Sequence, residues 1–129
     1  MSDMKTLGQL EAEISEAIIK FEREYMGRGP EETKTYIIDD IILVRLRGVL
    51  TPAEKQLAKS GEGTTGRALI KQVRIELLEK ARELLVTIVR DITGKDVRSL
   101  HTDISTVTGE RVILFTLDGS PAVEPDDVQ

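Results

Sequence analysis

One stretch of the sequence decides the fold: TGRALIKQVRIELLEKARELLVTIVRDIT, residues 65–93, which is followed by Gly94. Its apolar residues recur every three or four positions, so they share one side of a helix. That side consists of Ile70, Val73, Leu77, Ala81, Leu84, Ile88 and Ile92, widened by Leu69, Leu78, Leu85 and Val89. Neither Gly nor Pro interrupts residues 67–93. We predict one long helix, which Thr64 or Thr65 caps and Gly94 ends, packed against a sheet and a second partner.

The segments around the long helix predict the other elements. Residues 6–26 have helical periodicity, and a capping box of Thr6 and Gln9 starts them. A short helix begins at Pro52, with Thr51 and Glu54 as its capping box. Strand patterns occupy residues 33–38, 41–47, 97–105 and 111–117. We predict an α+β fold of two α-β-β units with a short linking helix, in which antiparallel β-hairpins form a sheet packed against the long helices.

Composition narrows the class of protein. The chain has 129 residues, a net charge of −5 and no Cys. The negative charge argues against a nucleic-acid binder, and the lack of Cys excludes disulfides and thiolate metal sites. No apolar run reaches the roughly 20 residues of a membrane span, and the first residues do not resemble a signal peptide. We predict a single domain over residues 1–118, an acidic disordered tail over residues 119–129, and a cytoplasmic location.

A basic stripe at the start of the long helix is the first candidate site. Arg67, Lys71 and Arg74 are spaced at i, i+4 and i+7 near the positive end of the helix dipole, directly after Gly66. The segment GRGP at residues 27–30 can form a flexible loop that presents Arg28 to an acidic group, and we include Arg28 in this candidate site. These five residues form a predicted anion site. The alternatives are a solvated stripe that pairs with nearby carboxylates, and a plain helix stop for GRGP.

The glycine-rich segment GEGTTG, residues 61–66, matches the pattern G-x-G-x-x-G. A dinucleotide fingerprint requires a preceding strand, whereas the sequence predicts a short helix there. Arg67 and Ala68 stand where a phosphate-binding loop needs Lys and Ser or Thr. We therefore interpret the segment as a linker between two helices.

Ser99, His101 and Asp103 alternate along one strand and therefore share one of its faces. A general acid–base pair has this arrangement, and so does half of a metal site. The chain has one His, and no spacing typical of a nucleophile with its base occurs. We interpret the three residues as a polar strand face and predict no catalytic residue, no metal and no cofactor. A hydrolase or isomerase that uses His101 and Asp103 is a third hypothesis.

Several motifs together resemble a known family. They are GRGP at 27–30, GVLTPAE at 48–54, GRALIKQVR at 66–74 and SLHTDISTVTGERVILFTL at 99–117. In this order they resemble, over residues 6–118, the bacterial family named after MpsC of the Na+-translocating membrane-potential-generating system. The motif positions are Gly27, Arg28, Gly29, Pro30, Gly48, Leu50, Thr51, Glu54, Gly66, Arg67, Arg74, His101, Asp103, Ser105 and Thr108. The resemblance implies a link to membrane potential, cation movement or inorganic-carbon supply, and it implies no catalytic roles.

The resemblance and the residues lead to two functional hypotheses. The first is a soluble, non-enzymatic accessory or regulatory protein that forms a homodimer or higher homo-oligomer and contacts a membrane protein without inserting into the bilayer. Apolar residues on both faces of the strands, at Ile41 and Leu43 and at Ile113, Phe115 and Leu117, motivate the self-association. The alternative is a small-anion or nucleotide-sensing domain that uses the basic start of the long helix.

Overall fold

Three helices and four strands form the protein in the computed structural model, which describes residues 4–59 and 64–124. In chain order they are α1 (Leu7–Met26), β1 (Glu32–Ile38), β2 (Ile41–Arg47), α2 (Pro52–Lys59), α3 (Thr64–Thr93), β3 (Val97–Ile104) and β4 (Arg111–Leu117). The predicted α+β fold is confirmed. The predicted bounds agree with these to within one or two residues, because the capping and turn residues that set them are local.

The four strands form one antiparallel sheet in the order β1-β2-β4-β3. Each α-β-β unit contributes one hairpin, as predicted, and the second strands of the two hairpins pair with each other. Leu43 of β2 lies opposite Tyr36 of β1 on one side and Leu114 of β4 on the other. The edges of the sheet are therefore β1 and β3.

Both predicted capping boxes are present. At the start of α1, Thr6 N donates to Gln9 Oε1 at 2.8 Å, and Gln9 N donates to Thr6 Oγ1 at 3.2 Å. At the start of α2, Thr51 N donates to Glu54 Oε1 at 2.9 Å, and Glu54 N donates to Thr51 Oγ1 at 3.1 Å. Gly94, with φ of 74°, follows the last residue of α3 in the left-handed conformation that favours glycine. Helix α3 begins at Thr64, so the predicted capping residues Thr64 and Thr65 both lie within it.

The core lies between one face of the sheet and the layer formed by α1 and α3. Its members on the two central strands are Ile42, Val44, Leu46, Ile113, Phe115 and Leu117, and on the helices Leu10, Ile14, Ile18, Phe21, Ile70, Leu78, Ala81, Leu85 and Val89. The predicted contribution of Ile113, Phe115 and Leu117 to self-association is therefore wrong, because these side chains are buried against the helices. Their neighbours Val112, Leu114 and Thr116 point to the opposite face of the sheet.

The buried side of α3 is rotated from the predicted one. Leu69, Val73 and Leu84 are exposed, although all three were expected to pack in the core. The buried side instead runs through Arg74, which lies between Ile70 and Leu78 in the same row. The prediction placed only apolar residues on the buried side of the helix. Because Arg74 is charged, it was assigned to the surface, and the predicted buried side was displaced from the observed one.

The chain after β4 runs back along the domain. Val123 packs against the core, and Glu124 N donates to the carbonyl oxygen of Lys5 at 2.8 Å. Residues 119–124 of the predicted disordered tail thus contact the domain. Residues 125–129 of that tail, and residues 61–63 of the glycine-rich segment, lie outside the described residues.

At Gly66, α3 packs closely against α2. A Cβ atom at this position would lie 2.1 Å from the carbonyl oxygen of Leu57, so an alanine would push the two helices apart. We expect Gly66→Ala to lower the free energy of unfolding by about 1–3 kcal/mol, which is typical of overpacking. Urea unfolding followed by circular dichroism measures the change.

Gly8→Ala is the matched control, because a Cβ at Gly8 of α1 would meet no atom within 4 Å. We expect this variant to be as stable as the parent or up to about 1 kcal/mol more stable, since alanine favours helix. Equal stability of the Gly66→Ala and Gly8→Ala variants would contradict the close packing of α2 on α3.

Candidate functional site

Four charged side chains from four elements meet inside the domain. They are Glu22 of α1, Glu54 of α2, Arg74 of α3 and Arg111 of β4, and we call them the buried ionic network. Glu22, Arg74 and Arg111 expose only 1%, 3% and 2% of their surface. The side chain of Glu54 is 21% exposed, which places it at the edge of the network.

Arg74 is the centre of the network. Its Nε and Nη2 atoms donate to the two carboxylate oxygens of Glu54 at 3.1 Å and 2.7 Å, and Nη2 also donates to the carbonyl oxygen of Val49 at 2.9 Å. Its Nη1 lies 3.8 Å from Glu22 Oε1. The other oxygen of Glu22 accepts from Arg111 Nη1 at 3.0 Å. Two arginines thus oppose two glutamates, which offsets the cost of burying each charge.

The environment shifts the pKa values of the network in different directions. Burial raises the pKa of Glu22, against the opposing fields of Arg111 and Arg74. Burial alone would also raise the pKa of Glu54, but hydrogen bonds with Arg74 and Thr51 outweigh it and lower that pKa. Burial lowers the pKa of Arg111, opposed by the field of Glu22. The network therefore couples the protonation of Glu22 and Glu54 to folding.

Sequence reasoning missed Glu22 altogether. The signal was its spacing, because Glu22 follows the buried residues Ile14 and Ile18 by eight and four positions and so shares their side of α1. A charged residue at such a position predicts a buried partner of opposite charge. That partner could not be found in the sequence, since Arg111 lies 89 residues further along the chain.

An open cleft of about 850 Å³ lies between α2, the end of β2 and the turn that joins β3 to β4. We call it the basic cleft, because five cations and two carboxylates line it: Arg45, Arg47, Lys55, Lys59 and Arg67, with Glu31 and Glu110. Leu50 and Ala58, both buried residues, contribute an apolar part of its wall.

The periodicity of β2 and α2 places the cations of each element on one side of it, beside the basic cleft. Arg45 and Arg47 alternate along β2 and so share one face of the strand, where both contact Glu110. Lys55 and Lys59 are four residues apart on α2, which places them on one side of that helix. No carboxylate within residues 4–59 and 64–124 forms an ion pair with either lysine.

Arg67 is the member of the predicted anion site that lines the basic cleft. Its Nη1 atom donates to the carbonyl oxygen of Ala58 at 3.3 Å, which ties the start of α3 to the end of α2. The four other cations of the cleft were not expected from the sequence. Arg45 and Arg47 lie in a strand, and Lys55 and Lys59 lie in a helix that was interpreted only as a connector. No local sequence pattern therefore related these four residues to Arg67.

The structure places the other predicted anion-site residues elsewhere. Arg74 is buried in the ionic network, and Gly66 is buried against α2. Lys71 Nζ lies 3.1 Å from Asp103 of β3. Arg28 donates to the carbonyl oxygen of Leu50 at 3.3 Å. The five residues therefore do not converge on one site, and Arg74 is not accessible to an anion from solvent.

Ser99, His101 and Asp103 lie along the edge strand β3. The hydroxyl of Ser99 forms a hydrogen bond with that of Thr116, and His101 lies opposite Leu114 in the sheet. A hydrogen bond from Lys71 lowers the pKa of Asp103. Within the described part of the chain, no group of three His, Cys, Asp or Glu side chains is placed to hold a metal ion.

The face of the sheet that points away from α1 and α3 is the second candidate surface. We call it the open face; its residues are Glu32, Lys34, Tyr36, Ile38, Ile41, Leu43, Arg45, Arg47, Val112, Leu114, Thr116, Ser99, His101 and Asp103. Tyr36 and Ile38 are 39% and 57% exposed, and Ile41, Leu43 and Leu114 are half-buried. An apolar centre on an uncovered sheet is typical of a protein-binding surface.

The comparison with known proteins agrees with the motifs. The family model described as "Na+-translocating membrane potential-generating system (MpsC)" matches residues 6–119. The chain belongs to the MpsC family. It is similar to "Uncharacterized protein YbcI" of Bacillus subtilis (strain 168), with 48% identity over 113 residues that cover 88% of this chain and 89% of the relative. No solved structure shows a significant match.

The family description refers to a membrane system. Within residues 4–59 and 64–124, every helix is too short or too polar to cross a bilayer. The match to the MpsC family model includes all four members of the buried ionic network and all seven charged residues of the basic cleft.

Removal of the Glu22 carboxylate tests the buried ionic network. Glu22→Gln would leave Arg74 and Arg111 buried without their shared counter-charge, so we expect a loss of about 3–5 kcal/mol in the free energy of unfolding. Urea unfolding measures the loss. Glu16→Gln, at an exposed position of the same helix, is the control and should change stability by less than about 0.5 kcal/mol. Equal stability of the two variants would show that the network does not support the fold.

The pH dependence of stability tests the Glu54 contacts. Because the folded pKa of Glu54 is lowered, its charge stabilises the fold above the unfolded pKa of about 4.3, and this contribution is lost as the pH falls through the folded value. The raised pKa of Glu22 acts in the opposite sense; Glu54→Gln removes the smallest of its causes, the field of the Glu54 carboxylate, while burial, the largest cause, remains. We expect Glu54→Gln to destabilise more at neutral pH than below about pH 4. Urea unfolding at both pH values measures this, and an equal loss at both would contradict it.

Proposed function

We propose that this protein is a non-enzymatic accessory protein of the membrane-potential-generating system named in its family description, and that it acts as a homodimer joined through the open face. The observation that carries the dimer is the self-complementarity of this face. Its centre is apolar, and one row across the sheet ends in Lys34 at the β1 edge and in Asp103 at the β3 edge. The link to the membrane system rests on membership of the family.

The register of the strands defines the complementarity. Lys34 of β1 lies opposite Arg45, and Asp103 of β3 lies opposite Val112. Because Arg45 and Val112 are themselves paired, Lys34 and Asp103 occupy the two ends of one row across the sheet. A two-fold axis parallel to the strands, between β2 and β4, stacks two sheets face to face. It places Lys34 of each copy over the partner's Asp103.

The apolar centre follows the same symmetry. Leu43 and Leu114 are paired on the two central strands, so the axis places Leu43 of one copy over the partner's Leu114. Tyr36, at one end of that row, falls over the partner's His101 at the other end. An axis perpendicular to the strands would instead place the apolar Ile38 over Lys34. The first arrangement is therefore the favoured one.

The size of the open face predicts a reversible dimer. Four strands about 4.8 Å apart and seven residues long present roughly 450 Å² on each copy. Two such faces amount to about 900 Å², which lies near the lower limit of specific protein interfaces. We therefore expect a dissociation constant in the micromolar range.

A non-enzymatic role is supported by the use of the charged groups. The buried guanidinium groups of Arg74 and Arg111 are paired with the carboxylates of Glu22 and Glu54, and Glu22, Arg74 and Arg111 are inaccessible to a substrate from solvent. His101 lies on the open face opposite Leu114, and Asp103 is paired with Lys71. We propose that the residues of β3 contribute to the dimer contact and take no part in catalysis.

Sedimentation equilibrium of the full chain tests the dimer. We expect the parent to change from monomer to dimer with rising micromolar concentration, and Leu114→Lys to remain a monomer, because it buries a charge at the centre of the contact. Ile75→Lys is the control, since Ile75 is 49% exposed on α3, in the layer opposite the open face. A parent that stays monomeric throughout, or an equal effect of the two variants, would overturn the dimer.

A charge exchange tests the orientation. Lys34→Glu should weaken the dimer, because two glutamates would then face two copies of Asp103. Adding Asp103→Lys should restore association relative to Lys34→Glu alone, as expected for a pair that acts between copies. If the double variant associates no more strongly than Lys34→Glu alone, the proposed two-fold axis is wrong.

The accessory role is tested in a host strain that lacks the gene. We expect the membrane potential, measured with a potential-sensitive dye, to change on deletion and to return with the parent and with Ile75→Lys. Leu114→Lys should fail to restore it. A deletion strain with an unchanged potential would overturn the proposed link to the membrane system, whether or not the protein forms a dimer.

A further inference from the structure

We infer that the basic cleft is a binding site for a soluble, polyphosphorylated small molecule, which makes the accessory protein responsive to a ligand. The inference goes beyond the proposed function, and it depends on residues of α2 and α3 that lie outside the open face. It replaces the predicted site at the start of the long helix, of which Arg67 is the member that lines the cleft.

The charge of the cleft selects the ligand class. Five cations and two carboxylates line it, although the whole chain carries a net charge of −5. A concentration of positive charge on an acidic protein is not a by-product of composition. A single carboxylate or phosphate ion carries no more than about two negative charges, fewer than the excess of three positive charges that line the cleft. A chain of two or three phosphates carries three to four negative charges and matches the excess.

The shape of the cleft indicates that the ligand also has an organic part. A volume of about 850 Å³ exceeds what a phosphate chain needs and lies within the range of small-molecule sites. Apolar atoms of Leu50, Ala58 and Val107 line it beside the cations. An organic group such as a nucleoside can contact this apolar wall while its phosphates reach the lysines.

One side of the cleft is held in place before any ligand binds. The turn between β3 and β4 is closed by hydrogen bonds from Gly109 N to Ser105 O at 2.8 Å and from Thr108 N to Ser105 Oγ at 3.1 Å. Val49 N donates to Gly109 O at 3.1 Å and joins this turn to the end of β2. A wall that is already ordered lowers the entropic cost of binding.

The other side carries the cations that remain available. Arg45 and Arg47 already contact Glu110, whereas no carboxylate among the described residues pairs with Lys55, Lys59 or Arg67. These three residues lie on α2 and the first turn of α3, which Gly66 brings into close contact. We assign them as the phosphate-binding residues.

Isothermal titration calorimetry of the full chain with inorganic tripolyphosphate and with ATP tests the site. We expect both to bind the parent, ATP more tightly through its nucleoside, with an affinity that falls as salt rises. The double variant Lys55→Ala, Lys59→Ala should weaken binding by about tenfold or more, because each lost charged contact contributes on that scale. Both lysines are exposed, so urea unfolding should show unchanged stability.

A second pair of exposed lysines supplies the control. Lys20→Ala, Lys80→Ala removes the same charge from α1 and α3, outside the cleft, and should bind like the parent. Equal weakening in both double variants would mean a non-specific charge effect and would overturn the site. No binding of either phosphate compound to the parent would overturn it as well.

Vesicles distinguish a soluble ligand from a lipid headgroup. We expect phosphatidylglycerol vesicles to compete poorly with ATP for the parent. Binding to such vesicles without binding to tripolyphosphate or ATP would assign the cleft to the membrane surface and overturn the inference. The dimer is measured separately through Leu114→Lys, which leaves every residue of the cleft intact, so failure of one proposal is distinguishable from failure of the other.

Discussion

The buried ionic contact between Arg74 and the glutamates of α1 and α2 is the constraint on which the rest of the structure depends. Arg74 is only 3% exposed, and a buried guanidinium group needs its counter-charges in fixed positions. Glu22 and Glu54 meet this need from different helices, and Arg111 extends the contact to the central strand β4. The contact therefore joins α1, α2, α3 and β4 inside the domain.

The basic cleft depends on this contact although it shares no residue with it. Glu54 anchors the start of α2 through Arg74 and the capping hydrogen bonds with Thr51. Lys55 and Lys59 lie on the same short helix, so their position is set by that anchor. A helix of eight residues is unstable alone and takes its place from tertiary contacts. The interior charges thus hold Lys55 and Lys59 in position at the basic cleft.

Two surfaces with different chemistry meet at β2. The open face has an apolar centre with charges at its edges, whereas the basic cleft has a cationic lining beside a small apolar wall. Arg45 belongs to both, because β2 runs from the centre of the open face to the rim of the cleft. A ligand at the cleft and a second copy at the open face would therefore meet at this strand, which offers a physical route for one to affect the other.

The sequence by itself determined the elements of this protein. The capping boxes at Thr6 and Thr51 join residues three apart, and alternating strands and their turns are equally local, so they could be predicted from neighbouring residues. Only the tertiary structure decided which charges are buried. Glu22 and Arg111 are 89 residues apart, and Arg74 has the spacing of a surface cation. Such contacts depend on how the helices cross the sheet. The basic cleft is assembled from β2, α2, α3 and a turn, so no local sequence pattern predicts it as a whole. Arg67 alone was predicted, because it lies in the first turn of the long helix.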